Sequence, residues 1–210
     1  VVYAIFLLWP WRARHGAMLL AAYALGDAGI AAASFVTSLH ADDPYALFIG
    51  GRYSEPVGYI NADCALFLSA VWPAVFLASR RETPWWLRGL FLASAGFLLE
   101  QAILPQSRGS LFVFPVVLVL YLALVPGRVR SLLVLAPACL AAYLARDALL
   151  DLYPAWRAET LPAALDALAD PLIGSAAALF ALGTIYGLVD HYAPLPADVA
   201  RLGAWIVGIL

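Results

Sequence analysis

Hydrophobic positions along this chain come in long blocks, and the polar positions are gathered into shorter runs between them. Blocks of about 20 apolar residues with few charges are long enough to cross the hydrocarbon core of a membrane as helices. Val1–Trp9 reads as the tail of one span. Complete spans are predicted over Ala17–Val36, Ala62–Ser79, Leu87–Leu104, Ser110–Val125, Ser131–Ala145 and Pro171–Val189, and another starts at Leu202. The runs "WPWRARHG", "RETPWWLR", "PQSRG" and "PGRVR" make short turns, with Trp9, Trp11, Trp85 and Trp86 suited to the membrane interface. A polar loop joins Val36 to Asn61. The stretch Arg146–Asp170 is polar and partly amphipathic, so it is predicted to lie along the outer interface and cover the helices. The pattern predicts an all-α fold, a polytopic transmembrane helix bundle of about six complete spans plus partial spans at both ends. Residues 1–210 form a single transmembrane domain.

Composition agrees with the pattern. Hydrophobic residues make up 64% of the chain, charged residues 12%, and mean hydropathy is +0.87; a soluble domain carries about 25% charged residues. All twelve basic residues are arginine, which removes lysine Schiff-base chemistry and a P-loop lysine. Cys64 and Cys139 fall inside predicted spans and read as packing residues, and no His or Cys spacing suits a metal. No Walker A, dinucleotide, GxSxG or DxD-type motif occurs, which argues against ATP-driven transport and metal-dependent transfer from nucleotide sugars. No cofactor and no nucleic-acid partner are expected. "GTIYG" at 183–187 has the small-residue spacing of packed membrane helices and reads as internal packing.

Charge placement orients the spans. One set of loops holds Arg12, Arg14, Arg80, Arg81, Arg88, Arg128, Arg130 and Arg201; the other holds Arg52, Arg108, Arg146 and Arg157. Eight against four puts the first set on the cytoplasmic side. Arg52 and Arg108 then lie on the face that disfavours arginine, each close to a span.

The loop "GGRYSEPVGYIN" (50–61) holds Arg52 between flexible glycines and Pro56, with Tyr53 and Tyr59 at headgroup depth. Asn61 is expected to cap the next helix. In "QSRGS" (106–110), Ser107 or Ser110 is expected to cap the helix that follows, with Arg108 beside its free N–H groups. A guanidinium next to a helix N-terminus suits phosphate. Asp63 and Glu100, just below these loops, are candidates to pair with Arg52 or Arg108 and organise them. Each loop alone also reads as a connector whose arginine meets lipid headgroups. Together, they offer two arginines to a lipid-linked pyrophosphate.

"GRYSEPVGYINADCALF", a span, an arginine-rich inner turn, another span, "QSRGSL" and an inner "VPGRVR" resemble the O-antigen ligase and O-antigen polymerase-like family of bacterial envelope glycosyltransferases, most closely its actinobacterial members. The resemblance covers residues 45–135 by motif and the rest by topology. It implies metal-independent transfer of a glycan from undecaprenyl pyrophosphate to a glycan, lipid or protein acceptor hydroxyl, outside the bacterial plasma membrane. It implies donor binding by Arg52 and Arg108, with Tyr59 and Asn61 from the matching Gly-Tyr-x-Asn; Ile60 stands where members often carry proline. Glu100, Asp63 and Ser107 are in support. No residue matches the family's catalytic histidine, so the catalytic residue is unassigned. The start at Val-Val without Met and the end inside "LGAWIVGIL" lead us to expect a segment of a longer protein, with the large outer loop and further spans beyond Leu210.

Two other readings stay open. One is a multi-span glycosyltransferase with Asp42, Asp43 or Glu55 as base. The other is a lipid or solute transporter with Asp27 as its midplane group.

Overall fold

The computed structural model describes residues 12–192. Its helices are α1 (Ala13–His40), α2 (Ile60–Ser79), α3 (Trp85–Ile103), α4 (Arg108–Leu124), α5 (Arg128–Leu150), the short α6 (Leu152–Arg157) and α7 (Leu161–Tyr192). Between α1 and α2 lie a 3-10 turn (Pro44–Leu47) and a hairpin of β1 (Phe48–Ile49) and β2 (Arg52–Tyr53). By length and composition, α1, α2, α5 continued through α6, and α7 can cross a membrane; α4 is apolar but has 17 residues. The expected helix bundle is therefore the fold. The partial spans Val1–Trp9 and from Leu202, with Trp9, Trp11 and Arg201, lie outside the described residues.

Helix α3 is the centre of the bundle, packed against α7, α2, α5 and α1. Its seam with α7 depends on glycine. A β-carbon on Gly183 would stand 2.8 Å from the Gly89 Cα, and one on Gly187 would stand 2.8 Å from the Trp85 Cα. Only hydrogen at these positions lets the backbones approach so closely, the logic of small residues at membrane helix interfaces. The "GTIYG" motif is thus internal packing, as its spacing predicts. Alanines and mid-sized apolar side chains of α2, α3 and α5 fill the core on the other side of α3. Pro73, Pro115, Pro137 and Pro171 all sit inside helices. Each removes one backbone N–H, a loss that membrane helices tolerate when neighbours re-satisfy the freed carbonyl.

A second, smaller core sits at the end of the bundle that carries the hairpin. Phe35, Phe48, Tyr53, Leu104, Leu149 and Leu152 close around Leu161, Leu165, Leu168 and Leu172 of α7. Gly50 and Gly51 turn the hairpin with φ of 58° and 80°, values open to glycine, and Phe48 meets Tyr53 edge-on across the strands. Burial pushes the Tyr53 phenol well above its ordinary pKa.

This cap corrects the expectation for 146–170. The stretch covers the helices, as expected, but is divided between the end of α5, α6 and the start of α7. Helix α5 runs on to Leu150, and α7 begins at Leu161, so Pro171 is inside a 32-residue helix rather than at its start. The apolar stripe that suggested a membrane surface faces the second core instead, while Asp166 and Asp170 stay exposed.

The opposite end of the bundle gathers the arginines. Arg88, counted among the loop arginines for orientation, lies in the first turn of α3 and is 2% exposed. Asp190, close to the end of α7, binds Arg81, Arg88 and Arg130 together.

Candidate functional site: an apolar cleft with an arginine rim

At the hairpin end, a cleft of about 480 Å³ opens between α2, α3, α4 and α5. Its walls are apolar: Leu68 of α2, Leu99 and Ile103 of α3, Leu111 and Phe114 of α4, and Ala142 and Leu150 of α5. Cys64 and Cys139 are both free and both line it, and the Cys64 thiol donates to the Ala102 carbonyl at 3.3 Å. Polar groups lie toward its hairpin end: Gln106, Ser107, Arg108 and Ser110 from the α3–α4 turn and the start of α4, and Arg146 from α5.

Each of these is positioned by local sequence. Gln106 holds φ at 48°, an uncommon value for a residue with a side chain, and its N–H bonds back to Ile103 O at 2.9 Å. That left-handed step ends α3 and starts α4. Ser107 is the N-cap of α4, but its hydroxyl does not cap the helix. It donates instead to Asn61 Oδ1 at 2.9 Å, and Ser110 donates to the Ser107 carbonyl. Among the described residues, the first N–H groups of α4 have no side-chain acceptor, beside an exposed Arg108. Arg146 falls on the cleft face because Cys139, Ala142, Tyr143, Arg146 and Leu150 follow helical spacing along α5. Its guanidinium stacks on the Tyr143 ring at 3.9 Å, bonds the Tyr143 carbonyl, and meets Asp147, which is exposed.

The other expected residues divide. Asn61 does not cap α2, whose N-cap is Tyr59; it lies in the first turn and bridges the Tyr59 hydroxyl (3.2 Å) to Ser107. This bridge ties the loop after the hairpin to the α4 start, so Tyr59, Asn61, Ser107 and Arg108 are brought together. Arg52 lies on β2 at the same end but does not line the cleft, and its neighbour Gly51 packs on Tyr153 and Trp156 of α6. Neither Asp63 nor Glu100 pairs with Arg52 or Arg108 among the described residues. Asp63 accepts the Val57 N–H at 2.8 Å, fixing the loop. Glu100 is fully buried on the face of α3 toward α7, near Ser175. Of the acidic loop residues, Asp43 caps the 3-10 turn through Tyr45 N, which leaves it a structural task. Asp27 is buried in α1 with one carboxylate oxygen unpartnered among the described residues.

Arg146 and Asp190 are the residues that the sequence alone did not single out. Arg146 had a signal, the helical spacing back to Cys139, hidden by ending the span at Ala145. Asp190 had none, since its partners are 60 to 109 positions away.

The chain matches no protein-family model, and no curated protein or solved structure is significantly similar to it.

Proposed function

We propose that the chain is the donor-binding part of a membrane glycosyltransferase of the O-antigen ligase or polymerase type, taking its glycan from a polyprenyl pyrophosphate. The observation that carries this reading is the cleft: apolar walls within the helices, and two guanidinium groups with an uncapped helix N-terminus at its mouth. An amphiphile with a long hydrocarbon chain and a doubly charged phosphate head has this same division. Arg108 and the α4 N–H groups meet the head from one side and Arg146 meets it from the other. In this reading the hairpin end faces outward from a bacterial plasma membrane, and the lipid enters from the bilayer.

The chemistry follows from charge. As the glycosidic bond breaks, the pyrophosphate becomes a free leaving group and gathers negative charge on the phosphate oxygen released from the anomeric carbon. Fixed guanidinium groups in a water-poor cleft stabilise that charge more in the transition state than in the ground state. The glycan passes to an acceptor hydroxyl, whose proton must go to a base outside the groups assigned here. Arg52, on the hairpin, is within the outer surface that the glycan would cross.

The test is transfer by membranes containing the whole protein. Arg108→Ala and Arg146→Ala should each lower transfer at least about tenfold, the loss expected for one charge-assisted contact of about 1.5–3 kcal/mol. Lysine at either position should recover only part, because it offers a point charge and no planar fork. Normal transfer by the Arg108→Ala, Arg146→Ala double variant, at normal membrane abundance, overturns the reading.

A further inference from the structure

At the end of the bundle away from the cleft, the Asp190 side chain is 3% exposed and accepts from three arginines. Arg130 donates through Nη2 to Oδ1 at 2.9 Å and through Nη1 to Oδ2 at 3.2 Å. Arg81 reaches Oδ1 through Nη2 at 3.1 Å and Nε at 3.2 Å. Arg88 reaches Oδ2 through Nη1 at 3.0 Å, while its Nε donates to the Ala78 carbonyl. Among the described residues, one carboxylate thus answers three guanidinium groups, leaving an excess of two positive charges.

The excess is not solvated evenly. The Arg88 side chain is 2% exposed, and its Nη2 is buried with no hydrogen-bond partner among the described residues. Tyr186 covers the group with its ring 4.4 Å away, which eases but does not neutralise the charge. A guanidinium withdrawn from water without enough counter-charge is costly to bury. The two outer arginines remain reachable, Arg81 at 46% and Arg130 at 22% side-chain exposure.

A second feature adjoins them. Arg130 and Arg128 line an open hollow of about 440 Å³ around the α4–α5 turn. Gly127, the N-cap of the 23-residue α5, has no side chain to cap the first N–H groups, and it lines the hollow with Arg128, Val129 and Arg130. A β-carbon there would lie 3.9 Å from Arg80 Nη1. Helix dipole, backbone donors and two further guanidinium groups, those of Arg80 and Arg128, therefore share one small region with the under-neutralised cluster.

We propose that this end binds a phosphate-type oxyanion, held by Arg81 and Arg130 with Arg88 behind them. A guanidinium can present one edge to Asp190 and another to a second anion, so the cluster need not open to accept it. The shared chemistry is a phosphate oxyanion, carried by an anionic phospholipid headgroup or free in solution. The proposal is independent of the donor reading of the cleft.

The experiment compares thermal unfolding of the whole chain in three media: phosphatidylcholine nanodiscs, the same with phosphatidylglycerol added, and phosphatidylcholine with inorganic phosphate at matched ionic strength. The wild type should unfold several degrees higher with one of the two phosphate sources; which one identifies the source. Arg81→Ala, at a half-exposed side chain, should lose most of that rise, while Arg12→Ala, exposed at the N-cap of α1, should keep it. Asp190→Asn removes the competing carboxylate. Its stability should fall in phosphatidylcholine alone and recover with the effective phosphate source, by a rise at least as large as the wild type's. A cluster that only fastens helices gives no rise in either medium for wild type or Asp190→Asn. Equal midpoints in all three media, or an undiminished rise in Arg81→Ala, overturns the proposal.

Discussion

Asn61 and Ser107 are 46 positions apart, yet one hydrogen bond of 2.9 Å joins them and sets where Arg108 begins its helix. Their residue types were legible as caps, because Asn and Ser near a helix start satisfy free N–H groups. They are used otherwise here: the Ser107 hydroxyl is directed to Asn61, and the N–H groups of α4 are left for another acceptor. Nothing in the local sequence distinguishes these two uses, since both place a hydroxyl at the N-cap. Ser107→Ala should cost about 1 kcal/mol of stability, the ordinary net value of such a bond. Chemical unfolding in detergent checks this. A cycle with Asn61→Ala should reveal coupling of the two sites, and strictly additive losses would mean the bond does not matter.

Elements were legible where lipid surrounds them and less so where they leave it. Helices α2, α3 and α4 lie within a few residues of the predicted spans. Helices α5 and α7 overrun theirs, because a hydropathy pattern reports contact with hydrocarbon, not helical backbone. Arg146, Asp147, Asp166 and Asp170 ended the apolar blocks, but the helices continue past them with the charges at the surface. The hairpin was hidden for a different reason. Its strands are two residues each, too short for alternation to register, although Gly50-Gly51 between them is a known turn signal. The α3–α7 seam was readable from its glycines. Gly183→Val should destabilise the protein by about 1–3 kcal/mol or more, the usual range for overpacking a tight contact. A lowered unfolding midpoint in detergent measures it; a midpoint unchanged from the wild type would mean the helices do not approach as described.

At the scale of the molecule, the bundle has two different ends joined by one central helix. One end carries the hairpin, the second core and the cleft mouth; the other carries the Asp190 cluster and most of the arginines. The arginine asymmetry had separated these ends from sequence alone, but it treated the basic residues as solvated loop charges. Three of them are instead cross-links between α3, α5, α7 and the loop before α3. The candidate site was legible in half: Arg108 with its small-residue turn came from local sequence, while Arg146 required the packing of α5 beside α4. Arg52 shows the reverse, a residue chosen by motif that the fold seats on the hairpin, apart from the cleft lining.

The proposed donor site is the cleft, which would hold a lipid-linked pyrophosphate through Arg108 and Arg146. Equilibrium binding of a polyprenyl pyrophosphate to the purified chain in nanodiscs tests it without requiring turnover. Wild type and Arg52→Ala should bind with similar affinity, and Arg108→Ala and Arg146→Ala should each weaken binding about 10- to 100-fold. Full affinity in the Arg108→Ala, Arg146→Ala double variant, or a loss confined to Arg52→Ala, would contradict the account.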